Sequence, residues 1–438
     1  MPMQANLISH DLRYVDRQRN HANVPPAVLS ERFDKMMQNS TDSEDMTRSL
    51  NFFNLDALRD KAEEFFGATC TGCYLIAQGG FNTVYILTFK DHDDVVARLS
   101  ASRIENPANK NQELVVERKK SECAIHRFLA EKTTIPVPHI YYFTPYFDNP
   151  VGVPFMFMER VHGQTLADVW FSLSSEQQIK VFNSIIGYNA QLLQLEFSAV
   201  GFLYHGDGGF TVGPLGSSCS DGRVLPGFRG PFTTTTSYLL THAEAHLHSI
   251  IHNIENWKAQ RLEYAWNNCG ADGISAEYAT TWLQLFCKGI RGLSAEPISA
   301  VLYHDDLSLG NVMVSYEDPT NVVAVIDWDG SSIMPLWEDF PLQRFIADTM
   351  WEEDDKNLAN QGRSMQKSLY SKANPKWAYS RLNLGDITIL AHSGTMAGYS
   401  REFINSRMLL WYEDRCNQGD LEEIRSFNEL KSFIDGSS

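Results

Sequence analysis

The sequence predicts an α+β chain: a small antiparallel sheet carrying one helix, then a larger, mainly helical remainder. Three observations predict it. The apolar period switches to two near residue 74, one long helical pattern interrupts the strand run, and helical patterns dominate after Ser174. Residues 1–50 are polar and weakly periodic and form an N-terminal extension that ends at 54. Leu55–Phe66, rich in Ala, Glu, Lys and Leu, predicts a short helix. Tyr74–Gln78 and Thr83–Phe89 are β-branched and aromatic around Gly79-Gly80, a hairpin signal. Asp94–Leu99 is a third strand, Asn111–Lys132 a helix, and Ile135-Pro136-Val137-Pro138 cannot continue that helix. His139–Phe143 and Pro154–Met158 complete a β-β-β-α-β-β order.

Beyond that, Ser174 and Gln177 form a capping box opening a helix to about Leu195. A Gly-rich stretch, 201–230, breaks the pattern. Helical patterns follow at Tyr238–Trp266 and Ala276–Gly289. Ala300–Tyr303, Val312–Tyr316 and Val322–Ile326 read as short strands around a loop, and helices resume after Trp337.

The composition excludes more than it identifies. Asp and Glu number 54 against 37 Lys and Arg, a net charge of −17 over 438 residues. That balance argues against nucleic-acid or anionic-membrane partners, which need a basic footprint. No apolar run is long enough for a transmembrane helix. The opening residues have no apolar core of a signal peptide, and Asp11 and Asp16 do not suit a transit peptide. The seven scattered cysteines fit reduced thiols, so a cytoplasmic location is expected. Cys70 and Cys73 form a lone C-x-x-C with no second pair at zinc-ribbon spacing.

The chemistry-bearing segment is His304-Asp305-Asp306-Leu307-Ser308-Leu309-Gly310-Asn311, followed by Asp327 in Ile326-Asp327-Trp328-Asp329. Asp306 and Asn311 keep the D-L-x-x-x-N spacing of a kinase catalytic loop. Phosphoryl transfer needs one carboxylate to take the proton of the attacking hydroxyl. It also needs a carbonyl oxygen and a second carboxylate to hold Mg²⁺ on the phosphates. A turn rich in Asp and Asn is the plain structural alternative for either piece alone.

The chain resembles the aminoglycoside phosphotransferase and choline kinase-like family, in particular its fungal branch, over roughly residues 55–420. The residues that carry the resemblance are QGGFNTVY (78–85), VVARLS (95–100), SECAIHRFLAEKTTIPVPHI (121–140) and VPFMFMERVHGQTLADVW (153–170). They continue in VGFLYHGDGGFTVGPL (200–215), RGPF (229–232), HDDLSLGN (304–311) and AVIDWDGSSIMPLWEDFP (324–341). The resemblance implies a bilobal protein-kinase-like fold, with residues 55–160 as a nucleotide-binding lobe and 161–438 as a helical lobe with the catalytic loop and substrate pocket. It implies ATP and Mg²⁺ as cofactors and a small-molecule hydroxyl or amine as acceptor. Asp306 would be the catalytic base, and Asn311 and Asp327 the magnesium ligands. His304 would brace the loop. Gly79, Gly80, Phe81 and Asn82 would cover the phosphates, and Met158, Glu159 and Val161 would belong to the hinge at the adenine.

Two departures stand out. Arg98 occupies the position of the usual strand lysine, and its expected helix partner is Glu122, with Glu117 as the fallback. Asp305 adds a charge beside the base where the family often has a small residue. The glycine loop lacks the third glycine of G-x-G-x-x-G and reads equally as a hairpin turn. His242, His246, His248 and His252 share a predicted helix at metal-compatible spacing, yet in the order H-x-E-x-H. A solvated or packed helix is favoured there. Too few residues separate Ile326–Asp329 from Pro335–Glu338 for a peptide-docking segment, which favours a small acceptor over a protein. The competing readings are a catalytically impaired binding module, supported by Arg98, and a phosphohydrolase using His304 and Asp305 as metal ligands.

Overall fold

In the computed structural model, residues 53–79, 81–100, 112–215, 229–252, 254–255, 276–291, 295–337, 345 and 355–377 are described. Two units form: residues up to 184 with 306–329, and 185–305 with 330 onward.

In the first unit, α1 (Leu55–Phe66) opens on Asn54, whose Oδ1 accepts from Ala57 N at 3.1 Å, and closes on Gly67 in the left-handed region. Five antiparallel strands follow: β1 (Cys70–Gln78), β2 (Asn82–Phe89), β3 (Val95–Ser100), β4 (Ile140–Thr144) and β5 (Phe155–Glu159), in the order β1-β2-β3-β5-β4. Strand alternation splits their side chains between two faces. Val95, Ala97, Leu99, Phe155 and Phe157 pack with Leu58 and Ala62 of α1. Met156 and Met158 pack with Val96 and with Cys123 of the long helix α2 (Gln112–Lys132). Arg98 pairs in register with Val84 and Met156, and Asn82 with Ser100. Both polar residues therefore share the α2 face of the sheet.

A second sheet in this unit orders β11-β10-β6, from β6 (Gln164–Thr165), β10 (Val312–Val314) and β11 (Val322–Val325). Gly163 lets β6 approach, because a Cβ there would lie 2.5 Å from Val314 O. A short helix α3 (Leu166–Val169) leads to α4 (Ser175–Leu192). The capping box forms: Ser174 N donates to Gln177 Oε1 at 2.9 Å, and Gln177 N to Ser174 Oγ at 3.3 Å.

In the second unit, α5 (Thr235–His252) packs against α6 (Ala276–Arg291), where Trp282 and Phe286 stack. β9 (Ala300–Tyr303) pairs with β12 (Ser332–Pro335), and α7 (Asp355–Ala373) follows. The Gly-rich stretch contains a hairpin, β7 (Phe202–Gly206) with β8 (Gly209–Gly213). Glycines at both strand ends obscured its alternation. β6 and β12 were too short to show a period. The Tyr238–Trp266 pattern is observed as a helix to His252; most of its remainder lies outside the described residues. No described helix is long and apolar enough to cross a membrane.

Candidate active site

The β10–β11 pair brings the two halves of the chemistry-bearing segment together. Val312 faces Val325, and Ile326 N donates to Asn311 O at 2.9 Å, so Asp327 begins beside Asn311. Between Asp306 and β10 the chain makes a single turn, with Asn311 N on Ser308 O at 3.1 Å. Asn311 Nδ2 then donates to the Asp306 carbonyl at 2.7 Å and to Asp306 Oδ2 at 3.3 Å. This fixes the half-buried Asp306 carboxylate relative to the strand. The preceding His304 is buried at the end of β9, and Asp305 is exposed.

Asp327 has φ 63°, a left-handed backbone that is uncommon for a residue with a Cβ and costs some strain, although Asp tolerates it better than most. Its neighbour Trp328 is buried and donates Nε1–H to Val325 O at 3.0 Å. Arg98 reaches Asp327 Oδ1 with Nη2 and Glu122 Oε1 with Nη1. The strand cation thus bridges the helix carboxylate and the carboxylate after β11.

The sequence matches a known family. A model described as "Phosphotransferase enzyme family" matches residues 75–363, well over half of the chain. The chain belongs to the phosphotransferase enzyme family. A subtelomeric hrmA-associated cluster protein of Aspergillus fumigatus is 25% identical over 310 residues, covering 61% of this chain and 58% of that protein. The chain thus spans under two thirds of that relative's length. An Altered inheritance of mitochondria protein 9 of Meyerozyma guilliermondii is 28% identical over 131 residues, covering 30% of this chain and 20% of that protein. Among solved structures, an aminoglycoside phosphotransferase, APH(4)-Ia, in ternary complex with ADP and hygromycin B has 13% identity and a TM-score of 0.41, covering 86% of this chain and 97% of that one.

The other expected site residues of this phosphotransferase-family chain fall as follows. Gly79 N donates to Asn82 O at 2.8 Å in the β1–β2 turn, and Gly80 lies outside the described residues. Phe81 is exposed under the Arg118 guanidinium, 4.7 Å from its ring centroid. Asn82 is buried, and its carboxamide is engaged by Lys119 and Asp329. Met158 is buried against α2, and Glu159 turns Oε2 back to His139 N at 3.1 Å. Val161 is half-buried past the strand end, beyond an Arg160–Asp94 ion pair.

Sequence reasoning missed Lys119, Arg118 and Asp329. The signal for Lys119 was its place one helical turn before Glu122, in the stripe Val115, Lys119, Glu122, His126 that faces inward. Elsewhere, burial pushes the Cys73 thiol up to about 11, with Cys70 adding to the shift, which disfavours a reactive thiolate. The rings of His248 and His252 lie 4.2 Å apart, tilted by 40°, on α5; the side chains of His242 and His246 lie outside the description. Among the described residues no group of three or more His, Cys, Asp or Glu is placed to hold a metal ion.

Proposed function

We propose that the chain transfers the terminal phosphoryl group of Mg²⁺-ATP to a hydroxyl or amine of a small molecule. The observation that supports this most is the meeting of Asp306, Asn311 and Asp327 at one end of the β10–β11 pair, with Arg98 joining Asp327 to Glu122. The residues fit a magnesium ion. Asn311 spends its N–H groups on Asp306, leaving its carboxamide oxygen outside that contact, and the Asp327 side chain is 41% exposed with one oxygen beyond Arg98. Hard oxygen donors of this kind suit Mg²⁺. Bound there, the ion would offset charge on the β- and γ-phosphates.

In this reading Asp306 accepts the acceptor's proton as the acceptor oxygen or nitrogen bonds to the γ-phosphorus. The bond to the bridging oxygen breaks and ADP leaves with the electron pair. Arg98 turns part of its fork to phosphate while Glu122 retains the rest. Gly79, Gly80 and Phe81 close over the phosphates. Asn82 serves through its backbone, because its side chain is engaged elsewhere. The Met158–Val161 segment receives adenine. Residues 55–160 form the nucleotide lobe, 161–438 supply the acceptor site, and 1–54 are an extension. The reaction is cytoplasmic.

The test is a small-metabolite pool incubated with γ-labelled ATP, comparing wild type with Asp306→Ala. Label in a small molecule from wild type alone supports the reading; no labelled product, or equal labelling by both proteins, overturns it.

A further inference from the structure

Lys119 is a buried cation with every donor in use. Its ammonium donates to Asn82 Oδ1 at 2.8 Å, Glu122 Oε2 at 2.9 Å and Asp329 Oδ2 at 3.0 Å. An ammonium has three N–H groups, so none remains for a nucleotide or an acceptor. Asp329 is equally enclosed. Its Oδ2 also accepts from Asn82 Nδ2 at 3.1 Å, and Arg118 lies 3.0 Å from its Oδ1. Glu122 divides its oxygens between Arg98 and Lys119.

These links close a circuit. It runs from Arg98 through Glu122, Lys119 and Asp329, along the backbone of Trp328 to Asp327, and back to Arg98. Burial, the largest influence, pulls Lys119 down to about 8 against the raising effect of Asp329. Burial alone would raise Asp329, but Lys119, Arg118 and Arg98 hold it well below the usual carboxylate range. Buried ion pairs are a weak source of stability, since apolar replacements often do as well. A positional role explains them better, because the strained Asp327 lies between Trp328, which is pinned to Val325, and Arg98.

We infer that Lys119 and Asp329 are positioning residues for Asp327. By fastening the second residue after it to α2 and β2, they hold its carboxylate where it can serve a metal. The inference rests on the proposed phosphotransfer reading.

The test is calorimetric titration of ATP into the full chain, once with Mg²⁺ and once with EDTA. The proteins are wild type, Lys119→Met, Asp329→Asn and the charge-balanced double variant Lys119→Met/Asp329→Leu, with folding checked by circular dichroism. Loss of partners around a metal ligand typically weakens metal affinity by about 10–100-fold. The gain in ATP affinity conferred by Mg²⁺ should shrink by a factor of that order in every folded variant, with the affinity in EDTA unchanged. A purely structural role would lower stability without moving that ratio. If the single variants do not fold, the double variant, which buries no unpaired charge at these two positions, decides the matter. A folded variant that keeps the wild-type Mg²⁺ gain overturns this inference alone. A wild type that gains nothing from Mg²⁺ overturns the phosphotransfer reading and this inference with it.

Discussion

Arg98 on β3 holds Asp327, the residue two positions after β11, across 229 positions of sequence. The same guanidinium holds Glu122 on α2, so a sheet strand, a helix and the loop after β11 meet at one fork. A planar guanidinium can serve two carboxylates at once, which a lysine ammonium at the end of a flexible stem does less rigidly.

Removing that fork should weaken nucleotide binding. Arg98→Ala is expected to raise the KM for MgATP strongly, and Arg98→Lys to restore part of the loss. Steady-state kinetics with varied ATP checks this; a KM unchanged in Arg98→Ala would remove Arg98 from the phosphate site.

The close approach of β6 to β10 gives a stability prediction. At Gly163 an added Cβ would lie 2.5 Å from Val314 O, which is backbone and cannot rotate away. Gly163→Ala should destabilise the fold by about 1–3 kcal/mol. Urea unfolding measures it, and an unshifted midpoint would show that β6 does not dock as described.

A pH effect follows from Glu196. Its hydrogen bond from Ser299, with those from Lys376 and Asn374, holds its carboxyl below the ordinary 4.5 despite some burial. A depressed folded-state value stabilises the protein above the unfolded pKa, and the contribution disappears as pH falls through the folded one. The stability difference between wild type and Glu196→Gln should therefore be larger at about pH 6 than at about pH 3. Chemical unfolding at both values tests it; a difference independent of pH would place the effect elsewhere.

Much of this arrangement was legible in the sequence because it is local. The β1–β2 hairpin, the α2 pattern and the capping box at Ser174 each rest on a few neighbouring residues, and each forms. The spacing from Asp306 to Asn311 needs one turn, and Asp327 needs one strand pair to return beside it. Glu122 could be named as the partner of Arg98 because it is an acid inside the helix that covers the strand. Asp329 could not, since its partners Lys119 and Asn82 are far away in sequence and nothing local distinguishes a buried Asp from a turn Asp. The β7–β8 hairpin was hidden because its glycines resemble loop punctuation, while its pairing is set by contact between strands.

The central claim is that Asp306 takes the acceptor's proton, and its adjacent neighbour supplies the control. Asp305 carries the same charge but is exposed, whereas Asp306 is half-buried and held by Asn311 Nδ2. Once an acceptor is in hand, the deciding measurement is kcat together with MgATP affinity for Asp305→Ala and Asp306→Ala. Asp306→Ala should lose about 10²–10⁴-fold in kcat with near wild-type MgATP affinity, and Asp305→Ala should lose far less. Loss of activity in Asp305→Ala with Asp306→Ala still active would contradict the account and favour His304 and Asp305 as a metal-binding pair.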